Sequence, residues 1–219
     1  DSTGGNNAIF ANGPAGGTHG TLFSLNAGVL AFGTNGSGFQ TGTTTITADT
    51  WTHVAVTFDE ATDTAILYIN GVADAGGPIT ITQDVFDAAT AAIGHQEGSG
   101  GGQSDVFDGE IAEVALYDRA LSVGEIAEIK NSVDTGEANL VGYWPLDDAS
   151  GNTVTAVVGP DGTVQDGAGT PHASTPWINT GAPPRENAVR MYSTGNGDRD
   201  SVRPARCGAR SRRSHRSEP

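Results

Sequence analysis

The chain has 219 residues and a net charge of −15, with Cys207 as its single cysteine. The lone cysteine excludes a disulfide framework and leaves the redox compartment open. The acidic balance makes nucleic acid and anionic membranes poor partners, and no apolar run approaches the ~20 residues of a membrane helix.

The charge is unevenly spread. Asp1–Pro184 hold 22 carboxylates against Arg119 and Lys130, a balance of −20. Arg185–Pro219 hold nine arginines against four carboxylates, a balance of +5, and also contain the only methionine, Met191. Segments so different in composition are expected not to share one core. A chain that starts at Asp1 without a methionine fits a processed protein or an excised piece, and no signal peptide is recognised in it.

From the start, Asp1–Gly20 is rich in Gly and Asn, with one apolar spot at Ile9-Phe10. Leu22–Leu25 and Val29–Phe32 read as a hairpin around Asn26-Ala27-Gly28, and the β-branched run Thr43–Thr47 as an outer strand. In Trp51–Asp59, Val54, Val56 and Phe58 alternate with Ala55, Thr57 and Asp59, the period of a strand. Thr64–Ile69 is apolar on both faces. Asn70-Gly71 then signals a type I′ turn, which needs φ > 0 at both central residues. Short strands follow at Val72–Ala75, Ile79–Thr82 and Ala91–Gly94, then a nearly pure glycine loop at Gly98–Gly102 and a strand over Val106–Tyr117. This rhythm predicts an all-β sandwich.

One helix interrupts it. Ser122 and Glu125 make a capping box, Leu121 and Ile126 a hydrophobic staple, and the helix should end near Asn131 and pack over the sandwich rim.

WTHVAVTFD…ILYING, followed by FDGEIAEVALYDRALSVGEI, resembles the laminin-G-like, concanavalin A-type lectin–glucanase domain, in the subgroup related to pentraxins. Trp51, His53, Asn70, Gly71, Gly109, Ile111, Val114, Tyr117, Arg119, Leu121, Ser122 and Ile126 carry the likeness, which runs from about Leu22 to Asn131. It implies a jelly-roll β-sandwich of two antiparallel sheets with one short C-terminal helix, usually outside the cell, binding carbohydrate or protein more often than catalysing. Members usually open with a strand like Leu140–Gly151, which here follows the helix. The expected organisation is therefore a sandwich over residues 1–139 lacking its first strand, then the opening of a second module over residues 140–184. The strand Leu140–Leu146 is a candidate to complete the first sandwich, because an open sheet edge is a template for another strand. His172–Pro184 resembles the continuation of that second module.

Residues 185–219 match nothing in the family. They read as a basic disordered tail, with a bias that also resembles out-of-frame translation; a nucleic-acid-binding arm is the alternative, but aromatics beyond Tyr192 are missing.

The loop from His95 to Asp105 is similar to the pentraxin calcium loop. By that resemblance Gln96, Glu97 and Asp105 fall at or near Ca²⁺ ligand places, while Gly98 stands at another and has no side chain to offer. The alternative is that these are solvated loop residues. Asp59 and Asp63 read as an Asx-type turn and His53 as a structural histidine. His19, His95 and His172 lack zinc spacing. Asn35-Gly36-Ser37 fits the N-glycosylation pattern, relevant only in a eukaryotic secreted context.

Retaining glycosidases need two carboxylates about 5–5.5 Å apart. Glu110 and Glu113 are three apart, on opposite faces of a continuous strand, and the positions that would complete a catalytic motif are Ala112 and Ala115. Neither a nucleophile elbow nor a phosphate loop is present. The sequence thus predicts a non-enzymatic, extracellular or cell-surface recognition module whose partner is a glycan or an extracellular protein. The first expectation is carbohydrate binding, with Ca²⁺ assisting. The second is a structural spacer docking neighbouring modules of a larger tandem chain, and a polysaccharide hydrolase is a distant third.

Overall fold

A computed structural model describes residues 6–13, 20–34, 38–82, 91–97, 103–148, 152–164 and 190–192. The first strands are β1 (Asn6–Asn12), β2 (Thr21–Asn26), β3 (Val29–Thr34), β4 (Gly38–Thr45), β5 (Thr52–Asp59) and β6 (Thr64–Ile69). Short ones follow: β7 (Val72–Ala73), β8 (Ile79–Thr80), β9 (Ala91–Ile93), β10 (Gln96–Glu97) and β11 (Gln103–Ser104). Then come β12 (Glu110–Ala112), β13 (Val114–Tyr117), helix α1 (Val123–Ile129), β14 (Leu140–Trp144), β15 (Thr153–Val154), β16 (Gly162–Thr163) and β17 (Arg190–Tyr192).

Two antiparallel sheets make the jelly-roll sandwich. One has the order β4-β3-β2-β1-β9; the other runs β12-β17-β5-β6-β7, with β8 also paired to β6. Ile9, Phe23, Leu30 and Phe32 of the first sheet meet Val54, Ala65 and Leu67 of the second in one buried cluster. Phe32 and Phe58 approach across it with ring centroids 6.3 Å apart.

The hairpins form as the sequence dictates. Ala27 and Gly28 have φ of 48° and 81°, and Asn70 and Gly71 have 53° and 80°, so both turns take the left-handed pair of a type I′ connection. Gly71 is favoured by its positive φ and also lies close to the helix, where a Cβ would stand 3.3 Å from the Ala127 backbone. The Ile9-Phe10 spot, to which the sequence assigned no element, lies in β1, an inner strand between β2 and β9.

The helix begins at the expected capping box, with Glu125 N donating to Ser122 Oγ at 3.3 Å and Ser122 N to Glu125 Oε2 at 2.7 Å. Its position differs from the rim. Leu121 and Ile126 bury with Tyr68, flanked by Ala55 and Ile66, so α1 covers the outer face of β5 and β6. This is why β6 is apolar on both faces: Leu67 faces the other sheet and Tyr68 the helix.

The expected strand over Val106–Tyr117 is broken. Glu113 has a φ of 59° and divides it into β12 and β13. Beyond the break, β13 pairs antiparallel with β14, Val114 opposite Trp144 and Leu116 opposite Gly142. Leu140–Trp144 therefore does bond to a strand of the preceding sandwich segment, but the two strands form a ribbon of their own, separate from both large sheets. A three-residue strand also stands within the tail expected to be disordered. β17 lies between β12 and β5, antiparallel to each. Backbone pairing needs no particular side chain, so the tail's composition could not announce it. The remainder of that tail, His172–Pro184, Gly98–Gly102 and Asn35–Ser37 lie outside the described residues.

Asp74 ties the two sheets. It follows β7 of one sheet, and its carboxylate accepts from Thr43 N (2.9 Å), Thr43 Oγ1 (3.0 Å) and Thr44 N (2.9 Å) on β4 of the other. Gly76 N adds a fourth donor at 2.8 Å. Burial, to 6% exposure, opposes ionisation, but the Gly76, Thr43 and Thr44 amides outweigh it and hold the carboxyl well below the ordinary range. A folded-state value below the unfolded one stabilises above the unfolded value and loses that stabilisation as pH falls through the folded one. Asp74→Ala should lower unfolding free energy by roughly 1–3 kcal/mol at pH 7, because it removes the charged acceptor of four hydrogen bonds, three of them from the other sheet. Urea titrations of wild type and variant should diverge at neutral pH and converge as pH is lowered below about 4.

Candidate functional site

The residues after the helix build one wall of the site. Tyr143 donates its N–H to the Val158 carbonyl and accepts from Val157 N, both at 2.9 Å. Asp148 accepts from Thr155 N at 2.9 Å and from its hydroxyl at 2.5 Å, and Asp161 accepts from Ala156 N at 2.8 Å. These bonds fold residues 140–164 into a small antiparallel lobe. On it the Trp144 ring folds back over Gly142, where a Cβ would lie only 2.3 Å from the indole. Trp144 Nε1 donates to the Pro160 carbonyl at 3.0 Å, so the ring is held at both ends. Tyr143 Oη and Glu113 Oε2 share a short hydrogen bond that pins the lobe to the break between β12 and β13.

Between this lobe and the sandwich lies a cleft of about 800 Å³, lined by Trp144 and Asp161 on one side and His95, Glu97, Glu110 and Phe107 on the other. The mixture of an aromatic ring, carboxylates and a histidine suits a ligand with both apolar faces and hydroxyl edges. Burial holds the His95 ring below its usual pKa, against the raising effects of Ile93 and Glu97, which favours a neutral imidazole at pH 7.

A second cleft, of about 710 Å³, separates the edge of β5 from β13 and has an apolar floor that includes Phe23 and Phe32. Tyr117 lines it; burial first, then Glu137 and Asp134, push its phenol up to about 12. Arg119, at its rim, donates to Glu125 at 2.6 Å and to Glu137 at 2.6 Å, locking the helix start to the following loop.

Strand geometry divides two of the three residues expected at a calcium site. Gln96 and Glu97 are neighbours on β10, which pairs with β11, and neighbours on a strand point to opposite faces. The Gln96 side chain is buried at 2% exposure, with Nε2 lacking a partner, whereas Glu97 lines the Trp144 cleft. Asp105 sits at a φ of 50° beyond β11, its carbonyl accepting from Ala8 N at 2.7 Å and its carboxyl raised by burial. Among the described residues no three His, Cys, Asp or Glu side chains cluster as a metal set. By themselves Gln96, Glu97 and Asp105 do not fit a calcium cage.

Other expectations resolve simply. Asp59 Oδ1 accepts from Ala61 N at 3.0 Å, an Asx turn, and His53 is a buried strand residue whose carbonyl accepts from Asn70 N. Glu110 and Glu113 do not share a cleft: Glu110 lines the one beside Trp144, and Glu113 is engaged with Tyr143. The residue that sequence reasoning left out of the site is Trp144. It was legible as a strand residue, but its place over Gly142 is a tertiary fact.

Sandwich, helix and rim clefts define a jelly-roll module of the concanavalin A type. Residues 1–127 match the concanavalin A-like lectin/glucanase superfamily, in its laminin-G branch, and the chain belongs to that family. Among solved structures it is similar to a Bacteroides ovatus protein provisionally described as carbohydrate binding, at 20% identity and a TM-score of 0.57, covering 74% of this chain and 50% of that one. It also aligns with residues 221–444 of an S-layer domain-containing protein from Clostridium thermocellum, at 25% identity and a TM-score of 0.32, covering 58% and 64% of the two chains. The chain thus spans about half the length of the first structure and under two thirds of the second. A comparison with curated proteins found no match. Among the described residues, no helix is long and apolar enough to cross a membrane.

Gly142 tests the placement of the ring. Gly142→Ala should expel the indole from its seat and cost roughly 1–3 kcal/mol. In a ¹⁵N spectrum the Trp144 indole N–H, assigned by Trp144→Phe, should shift and exchange faster as its bond to Pro160 is lost. An unchanged resonance would contradict this packing.

Proposed function

We propose that the chain is a non-enzymatic, extracellular recognition module that binds carbohydrate in the cleft beside Trp144. The observation that carries this reading is the fixed indole facing a cleft edged by Glu97, Glu110 and Asp161. A sugar ring offers C–H faces to an aromatic and hydroxyls to carboxylates, and a ring already held in place loses little freedom on binding. The provisional carbohydrate-binding description of the Bacteroides ovatus protein supports the same class. The strongly acidic surface suits a protein kept soluble outside the cell and away from polyanions.

Catalysis is not part of the proposal. Fold alone does not confer the hydrolase chemistry that other members of the superfamily perform, and the two glutamates nearest a glycosidase spacing are divided between a cleft and a tyrosine. Calcium is not needed for this reading either, since the cleft presents Glu97 without Gln96. A protein-docking role is the second reading, favoured by the other cleft.

Affinity electrophoresis through gels containing neutral polysaccharides tests the proposal. Retardation by at least one polysaccharide is expected, with about a tenfold or greater loss for Trp144→Ala, persistence in EDTA, and no release of reducing sugar. Binding that is equal in Trp144→Ala would remove the cleft from the account, and chelator-sensitive binding would bring calcium back into it.

A further inference from the structure

The cleft beside Trp144 is rich in acceptors and short of donors. Glu97, Glu110 and Asp161 bring carboxylates to its lining. A carboxylate has about four lone-pair sites, so the Ala156 amide on Asp161 leaves that group able to accept more. The Trp144 indole N–H is already given to the Pro160 carbonyl. His95 adds an acceptor rather than a donor. Burial lowers its pKa most, and the Ile93 backbone raises it, the mark of a carbonyl facing a ring N–H. A neutral imidazole has one N–H and one bare nitrogen, so with the N–H turned to Ile93 the nitrogen left for a ligand is an acceptor. Among the described side chains of the lining, the Thr163 hydroxyl is the donor that remains.

Charge points the same way. Among the described residues, no lysine or arginine lines the cleft. Residues 1–184 contain only Arg119 and Lys130, and both belong to the helix. Arg119 is bound to Glu125 and Glu137 at its start, and Lys130 caps its other end. An occupant of the cleft has to bring its own N–H and O–H donors, and positive charge suits it best. A single metal ion does not meet this demand, because among the described residues no three of these groups gather at one point. The acceptors are dispersed over the cleft, so the donors must be spread along the ligand.

We propose that this cleft selects glycans that carry free amines. A protonated amino-sugar unit lays its C–H face on the Trp144 indole and sends its ammonium and hydroxyl groups to Glu97, Glu110 and Asp161. This rests on the carbohydrate reading and names its ligand class. An ammonium brings three donors and no acceptor, and its bonds to carboxylates are about twice as strong as neutral ones. Acetylating the amine removes the charge and adds a carbonyl for which the cleft has few donors. A uronate sets one more carboxylate among carboxylates, so the cleft that favours the amine disfavours acidic glycans.

The probes are three oligosaccharides of one length: β-1,4-linked glucosamine, its N-acetylated form and a uronate. Each is titrated calorimetrically into the intact chain in mildly acidic buffer, which keeps the sugar amine protonated, at about 0.15 M ionic strength to screen long-range attraction. The amine form should bind about tenfold or more tighter than the N-acetylated form, with the uronate weakest. Trp144→Ala should weaken both of the tighter ligands. Glu110→Gln should shrink the preference for the amine by about threefold or more, whereas Asp63→Asn, at an exposed turn outside the cleft, should leave it unchanged. If the amine and N-acetylated forms bind equally and through Trp144, the carbohydrate reading stands and the amine preference is overturned. If none of the sugars binds, or Trp144→Ala has no effect, both are overturned. A preference reduced as much by Asp63→Asn as by Glu110→Gln would assign it to the negative surface at large, which also overturns the proposal.

Discussion

The β5–β6 hairpin must be covered on two sides, and the rest of the molecule is arranged to do so. Val54, Ala65 and Leu67 point to one layer and Ala55, Ile66 and Tyr68 to the other. A sheet that is apolar on both faces needs a layer on each. The first sheet covers one face and α1 the other, and a helix as short as α1 holds its place because of that contact rather than by intrinsic propensity. The same demand explains the glycine of the hairpin. Gly71 lets the turn reverse and also clears the path of the helix backbone at Ala127.

Electrostatics follows a second constraint, the near absence of cations from residues 1–184. With Arg119 bound to Glu125 and Glu137, most carboxylates cannot be neutralised by ion pairs. Several are satisfied by backbone N–H and hydroxyl groups instead. Asp74, Asp59, Asp134, Asp148 and Asp161 each accept from a local or cross-sheet amide. Asp74 is the one whose donors come from another sheet, which makes it a structural tie rather than a turn former. Glu125, at the helix start, is held down to about 2 by Arg119 and the Ser122 amide. An acidic protein of this kind gains order from its carboxylates by capping, and its surface field stays negative.

How much of this was legible depends on whether the signal is local. The Asn70-Gly71 turn, the capping box and the alternation in β5 are decided within a few residues, and each formed where the sequence put it. Strand β1 was missed because its two large apolar residues, Ile9 and Phe10, stand in a glycine- and asparagine-rich stretch, and its burial comes from neighbours on both sides. The break at Glu113 was hidden for a different reason. A left-handed glutamate is unusual, and this one is held by its N–H to the Pro145 carbonyl at 3.1 Å and its carboxylate to Tyr143, both from beyond the helix. The site suffered most. Gln96 and Glu97 were placed together by the resemblance of their loop to a calcium loop, yet strand geometry sends neighbours apart, and Trp144 could not be chosen before its wall was known.

The β13–β14 ribbon stands between the two clefts and belongs to both. Leu116 lines each of them, Tyr117 faces one and Trp144 the other. Because the ribbon bonds to neither large sheet among the described residues, its position rests on side-chain packing, on the Glu113–Tyr143 contact and on the loop anchored by Arg119. A gap inside a sheet differs from an open edge at its periphery. A peripheral edge exposes backbone groups to water alone, whereas a gap over the core exposes backbone and apolar side chains together. Water satisfies the first and not the second.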